Sequence, residues 1–351
     1  MKLQKIRIGI TQGDINGIGY EVILKTLLDI RILDICTPIV YGSPKVAAYH
    51  RKTLNISDFS LNIIKSPEEA NPKRANIINC LSDDIRVELG KSTATAGEAS
   101  YLSLKKAAED AKNGKLDALV TAPINKYNIQ SDQFKFSGHT EFLKDYFNVT
   151  DVLMLMASDL IKVGLLTVHI PLKDIFTFLT PEGISNKIRL MNRSLTEDFR
   201  IRKPKIAVLG LNPHAGEEGM LGKEEQDIIK PVIESLKKED LLVFGPFAAD
   251  GFFGSGNHLK FDGIFAMYHD QGLIPFKSLV LDEGVNYTAG LPIIRTSPAH
   301  GTAFDLAGKN LADHNSFRKA IYTACDIYQN RLFHADITDN PLKPVDLKVL
   351  E

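Results

Sequence analysis

Short apolar runs alternate along this chain with longer stretches in which apolar residues recur every three or four positions. IRIGIT (6–11) alternates apolar and polar residues before a glycine-rich turn, the period of a half-buried strand. EVILKTLLDI (21–30) then carries its apolar residues at helical spacing. TPIVYG (37–42) reads as a second strand, with Ser43 placed to cap the helix SPKVAAYH. Residues 95–113 read as a long helix with Gly114 in the terminating position, and DALVTAP (117–123) as a further strand. This βα alternation predicts an α/β fold with a largely parallel sheet and helices on both faces.

The middle of the chain breaks the alternation. VLMLMASDLIKVGLLTVHI (152–170) predicts two strands around an ASDL turn, so the sheet is mixed. Residues 173–200 read as helical, interrupted at Pro181. KIAVLGLN and LLVFGPF predict strands separated by a helix with Pro231 near its middle, and HNSFRKAIYTACDIYQ predicts a closing helix. No internal repeat and no Pro/Gly/Ser linker marks a boundary, so the two domains expected at this length would form from segments that cross back and forth.

Composition narrows the function classes. With 42 basic and 43 acidic residues the net charge is -1, which gives no reason to expect nucleic acid or an anionic membrane surface. Cys36, Cys80 and Cys325 are sparse and form no CxxC, as in a reduced, cytoplasmic protein. No signal-peptide pattern opens the chain, and no apolar run approaches a bilayer span. The Rossmann G-x-G-x-x-G, the P-loop and H-E-x-x-H are all missing.

The candidate chemistry gathers at the ends of apolar runs. His169 in LLTVHIPL, His214 in AVLGLNPHAGEEG and His269 in GIFAMYHDQG each follow a strand-like segment, and strand ends open onto ligand crevices in α/β sheets. Three neutral imidazoles converging there would bind a divalent metal with room for substrate. TQGDINGIGYEV (11–22) is either a tight strand-to-helix turn or a loop facing a ligand. SGHTEFL (137–143) sets His139 and Thr140 at a helix start that suits an anion, where Ser137 or Thr140 could equally cap. YHDQGLIPFK (268–277) holds His269, Asp270 and Lys277, as a site segment or a solvated loop. In GVNYTAGLPIIRTS, Asn286 and Arg295 lie in two strand-like runs, and the guanidinium needs either a structural carboxylate or an anionic substrate. HGTAFDLAGK mixes small and polar residues like a loop gripping a flat ligand.

TQGDINGIGYE, VTAPINK, SGHTEFL, GLNPHAGEEG, MYHDQG, GVNYTAGLPIIRTS and HGTAFDLAGK, in this order over residues 11–310, resemble the 4-hydroxythreonine-4-phosphate dehydrogenase family. The resemblance implies a two-domain isocitrate/isopropylmalate dehydrogenase-like fold, which holds a dinucleotide without the Rossmann fingerprint. It implies residues 1–130 plus 296–351 as a cofactor-binding domain, and 131–295 as the domain with metal ligands and dimer interface. His169, His214 and His269 would ligate one divalent metal (zinc, or magnesium, manganese or cobalt) in a homodimer, with His269 crossing to the other subunit. His139, Thr140, Lys277, Asn286 and Arg295 would contact substrate, with Asp250 and Asp270 nearby. His300, Gly301, Thr302, Ala303 and Asp305 would hold NAD, with NADP as the alternative. The implied reaction oxidises 4-phosphonooxy-L-threonine to a β-keto acid, which decarboxylates to 3-amino-2-oxopropyl phosphate in pyridoxine phosphate biosynthesis. The competing readings are a paralogous dehydrogenase of threonate or erythronate 4-phosphate, and a metal-dependent hydrolase or lyase without nicotinamide. The family's first loop commonly reads GDPAGIGPE; Ile15, Asn16 and Tyr20 depart from it here, leaving the turn less fixed in φ.

Overall fold

The computed structural model describes residues 5–82 and 84–340. Twelve strands form one continuous sheet: β1 (Ile6–Thr11), β2 (Cys36–Gly42), β3 (Asn62–Ile64), β4 (Asn76–Asn79), β5 (Ala118–Thr121), β6 (Leu153–Ala157), β7 (Lys162–Leu165), β8 (Lys205–Leu209), β9 (Leu242–Phe247), β10 (Gly263–Ala266), β11 (Val285–Ala289) and β12 (Ile294–Pro298). Their spatial order is β3-β4-β2-β1-β5-β12-β11-β6-β7-β10-β8-β9. The first six run parallel, as do the last four. Between them β11 pairs antiparallel with both β12 and β6, and the predicted hairpin pairs β6 with β7. The strands read from apolar alternation therefore stand where expected, in a mixed, mostly parallel α/β sheet.

Local chemistry sets the helix boundaries. Ser43 accepts from Val46 N at 3.3 Å and caps Pro44–Thr53 as predicted. Thr93 caps the long helix Ala94–Lys112, and Gly114 follows it at φ 70°. The buried residues of that helix include Ala96, Gly97, Ala99, Ser100, Ser103, Ala107 and Ala108, small side chains that let it lie close, together with the larger Tyr101 and Leu104. Pro181 does not interrupt a helix but begins one, Pro181–Glu197, capped by Thr180; Pro at the first position lacks only a donor that would be orphaned anyway. Pro231 likewise sits at the start of Lys230–Lys237, after a π-helical turn. The closing helix, Asn315–Asp339, packs on β5, β11 and β12 and so backs the antiparallel seam.

The glycine-rich loop after β1 is a structural hub. Gln12, Asp14 and Asn16 are fully buried. A Cβ on Gly17 would meet the carbonyl of Thr302 at 2.7 Å, and Ile18 N donates to that carbonyl at 3.0 Å. Asn16 ties the loop to residues 88–93, and Asp14 accepts from Asn128 at 2.8 Å. Of the two uses the sequence left open, the tight turn is the one seen; its part in the site is to seat the 300–310 segment.

Candidate active site

The antiparallel insertion turns the two parallel halves of the sheet in opposite directions, so their strand ends do not share one edge. The pocket instead lies over the face of the central strands. Met154 and Met156 of β6, Asn286 of β11, and Arg295 and Ser297 of β12 form its floor; Asn286 stands in register with Met156 on one side and Ser297 on the other. Its walls come from the segments after β5, β7, β10 and β12 and from the start of the helix His139–Tyr146. The cavity measures about 300 Å³.

Arg295 dominates the electrostatics. It is 3% exposed. Its guanidinium donates to Thr121 Oγ1 at 2.7 and 3.2 Å and to Thr288 Oγ1 at 3.0 Å, all neutral hydroxyls. Burial pulls its pKa down to about 10, with the charge of Glu141 opposing. A buried guanidinium without a carboxylate in contact pays a desolvation penalty that its hydroxyl partners offset only in part, leaving room for an incoming anion. Lys126, Lys277 and Arg295 line the pocket against one carboxylate, Glu141, so the cavity is built for a polyanion.

His139 opens its helix behind Gly138, the N-cap residue, and no side chain caps this end. Ser137 and Thr140 thus leave the backbone donors free, and the Thr140 hydroxyl lies 3.5 Å from that of Thr288. His139 Nε2 is shut off from solvent without a partner, and desolvation, with Arg295 and Lys126 adding to it, holds the ring neutral. Asn286 Oδ1 on the floor and His300 Nε2 on the wall are also buried and unpartnered. Such orphaned polar atoms call for a ligand or water.

His169 lies four residues beyond the end of β7, in a loop. Its ring centroid is 5.7 Å from that of His269. Burial, then the Lys126 charge, push the His169 pKa down to about 4, leaving a neutral imidazole with Lys126 Nζ 3.0 Å from its Nε2. His269 does not sit in a solvated loop: it begins the helix His269–Val280, and His269, Leu273 and Lys277 present one face of it to the pocket. Asp270 lies outside the pocket lining and holds His269 Nδ1 at 2.7 Å, leaving Nε2 free, the usual arrangement of an imidazole prepared for a metal. This pair fits part of a divalent-metal donor set. His214 is exposed on a separate turn, and among the described residues no group of three or more His, Cys, Asp or Glu comes together.

Asp250, exposed in the short helix Ala249–Gly254, does not line the pocket. Of the proposed cofactor segment, His300 and Gly301 line the mouth, whereas Thr302, Ala303 and Asp305 continue away from it. Lys126, Glu141 and Thr121 were not picked out from the sequence as site residues. Lys126 had a signal, since VTAPINK runs directly off a predicted strand; Glu141 and Thr121 read as ordinary helix and strand residues.

The model of the family described as "Pyridoxal phosphate biosynthetic protein PdxA" matches residues 34–324. Over 344 residues, 98% of this chain and 94% of the relative, the sequence is 52% identical to a 4-hydroxythreonine-4-phosphate dehydrogenase of Bacteroides thetaiotaomicron. A D-threonate 4-phosphate dehydrogenase of Cupriavidus necator is 38% identical, over 92% of this chain and 98% of that one. A crystal structure of a 4-hydroxythreonine-4-phosphate dehydrogenase from Klebsiella pneumoniae has a TM-score of 0.82 at 35% identity, covering 94% of this chain and 100% of that chain. The chain therefore belongs to the PdxA family of pyridoxal phosphate biosynthetic proteins.

Proposed function

We propose that this protein is an NAD-dependent 4-hydroxythreonine-4-phosphate dehydrogenase, oxidising 4-phosphonooxy-L-threonine to 2-amino-3-oxo-4-phosphonooxybutyrate, which decarboxylates to 3-amino-2-oxopropyl phosphate. The buried Arg295, bonded only to hydroxyls, carries the reading from the structural side: it matches a phosphorylated acid and has no other counter-charge in contact. The 52% identity to a relative of that name supports the amine-bearing substrate over the threonate phosphate.

Arg295 clamps one anionic end of the substrate with two parallel N–H bonds, and the free backbone donors at His139 add to the anion site. Lys277, one helical face with His269, neutralises further negative charge. Asn286 Oδ1 accepts from a substrate ammonium or hydroxyl. Neutral His139 and the proton held at Lys126 Nζ are the groups placed to exchange protons with the reacting alcohol and the later enolate. When bound, a divalent cation at His169 and His269 supplies a Lewis acid for the C3 alcohol, and a nicotinamide at the His300–Gly301 mouth supplies the hydride acceptor.

The third imidazole, in this reading, comes from a second copy. His169 and His269 already share one chain's pocket, so His214, exposed, is the residue we assign to cross over, in place of His269. Exposed apolar side chains within residues 131–295, among them Leu172, Phe176, Met220, Leu259 and Ile274, are available for a homodimer to cover. Residues 1–130 with 296–351 then form the cofactor side. The test is turnover, followed by cofactor reduction, on 4-phosphonooxy-L-threonine and on D-threonate 4-phosphate, with and without a chelator. Preference for the amine-bearing substrate and loss of turnover with chelator are expected. Preference for the threonate, or turnover indifferent to chelator, overturns the assignment.

A further inference from the structure

Residues 213–219 form a turn wound the wrong way. His214, Ala215, Gly216, Glu217 and Glu218 have φ of 52, 52, 82, 42 and 54°, five successive residues in the left-handed region, four of them with a Cβ. Single residues visit that region; runs of them do not persist unless the surroundings impose it. Backbone bonds from Ala215 to Asn212 O and from Leu221 to Gly216 O, and the Asn212–Glu224 hydrogen bond, contribute, but the side chain buried at the base of the turn is Glu225. Glu225 is 1% exposed. Its Oε1 accepts from the backbone N–H of Leu211 and of Asn212, both at 2.7 Å, and its Oε2 accepts from Asn212 Nδ2 at 3.0 Å. A Cβ on Gly216 would come within 2.6 Å of Oε2, so the turn folds directly against the carboxylate. Gln271 then fixes this turn relative to His269: its Nε2 donates to Gly210 O at 2.6 Å and its Oε1 accepts from Met267 N at 2.8 Å.

We infer that Glu225 is a positioning residue for His214: its buried carboxylate holds the left-handed turn so that the imidazole is presented outward, already set to complete a cation site with the His169–His269 pair of a second copy. The inference rests on the reading of His214 as a ligand. Glu225 itself touches neither substrate nor cation. A carboxylate is required because every group facing it is a donor; an amide in its place would turn an N–H against an N–H.

The test uses full-length protein titrated with Zn²⁺ by calorimetry, comparing wild type, Glu225→Gln and His214→Ala, with inorganic phosphate binding at Arg295 as a control and amide hydrogen exchange over residues 211–221. Expected for Glu225→Gln are Zn²⁺ binding weakened about ten- to a hundredfold, faster exchange in the turn, and unchanged phosphate affinity. Gly216→Ala, which pushes the turn off an intact carboxylate, should weaken Zn²⁺ in the same way and serves if Glu225→Gln does not fold. Wild-type Zn²⁺ affinity in Glu225→Gln, alongside a loss in His214→Ala, overturns the positioning role alone. Wild-type affinity in His214→Ala overturns the ligand reading and the inference with it. If Glu225→Gln loses phosphate and Zn²⁺ binding equally, Gly216→Ala decides; an equal loss of both there as well overturns the inference.

Discussion

Replacing Arg295 by Met should separate stability from binding in opposite directions. The folded protein holds the guanidinium at a pKa of about 10, well below its ordinary value, because burial disfavours its charge. That difference corresponds to about 3 kcal/mol of cost in the folded state. Methionine removes the cost, and the long thioether chain fills much of the same volume. Against this stands the loss of bonds to Thr121 and Thr288, about 1 kcal/mol for each hydroxyl left unpaired. The net expectation is a variant as stable as wild type or more stable by about 1 kcal/mol in urea unfolding without ligand. Substrate binding should fall by about 2–5 kcal/mol, the cost of truncating one partner of a buried charge pair. KM should therefore rise at least thirtyfold or so, and substrate should no longer raise the unfolding midpoint as it does in wild type. An Arg295→Met protein that loses several kcal/mol of stability yet binds substrate normally would show that the guanidinium serves the fold and not the ligand.

Three other outcomes follow from the packing. His50 is buried against Tyr20, with Nε2 on Ile15 O at 2.8 Å, and its pKa is lowered from 6.5 to about 4. The unfolded chain takes up this proton first, so stability is lost as pH falls from 6.5 toward 4, by about 3 kcal/mol from this group; the stability–pH curve of His50→Gln should be flatter in that window, and identical slopes would contradict the assignment. Asp198 accepts from Arg331 at 2.7 Å, Ser194 at 2.6 Å and Tyr287 at 2.6 Å, clasping the closing helix to the seam. Arg331→Ala should cost about 3 kcal/mol in urea unfolding, the low end for breaking a buried pair because Arg331 is partly exposed, with kcat retained; a loss of kcat at unchanged stability would argue otherwise. A Cβ on Gly97 would meet Asn128 O at 1.9 Å, so Gly97→Ala should destabilise by about 1–3 kcal/mol and raise KM by moving the Lys126 turn, which thermal unfolding and kinetics check together.

Ten of the twelve strands were readable because each is a short apolar run bounded by turn residues; β3 (Asn62–Ile64) and β4 (Asn76–Asn79), three and four residues long with asparagines at their ends, were not. Helices were readable where a cap and a terminator bracketed them, as Thr93 and Gly114 do. They were misread or left open where proline and glycine had tertiary reasons. Residues 268–277 were left open between a site segment and a solvated loop; from His269 on they are a helix in which a Cβ on Gly272 would strike Leu165 and Val163 at 2.7 and 2.8 Å. The residue is there to bring the His269 helix onto the sheet. Arg295, Asn286 and His169 were legible as polar groups in or after apolar runs, and His139 as a residue at a helix start. Lys126, Glu141 and Thr121 were not, because what makes them site residues is the antiparallel seam that folds β5, β7 and β12 around one cavity. The role of Glu225 was equally hidden: a single buried carboxylate at the start of a helix leaves no signal in the sequence period.

The most direct measurement is the position of the cation itself. Anomalous scattering from crystals grown with Zn²⁺ and substrate should locate one cation per chain, bound by His169 and His269 of one copy and His214 of another, with the substrate phosphate or carboxylate on Arg295. A cation found away from the His169–His269 pair, or a substrate anion that leaves Arg295 untouched, would contradict the account.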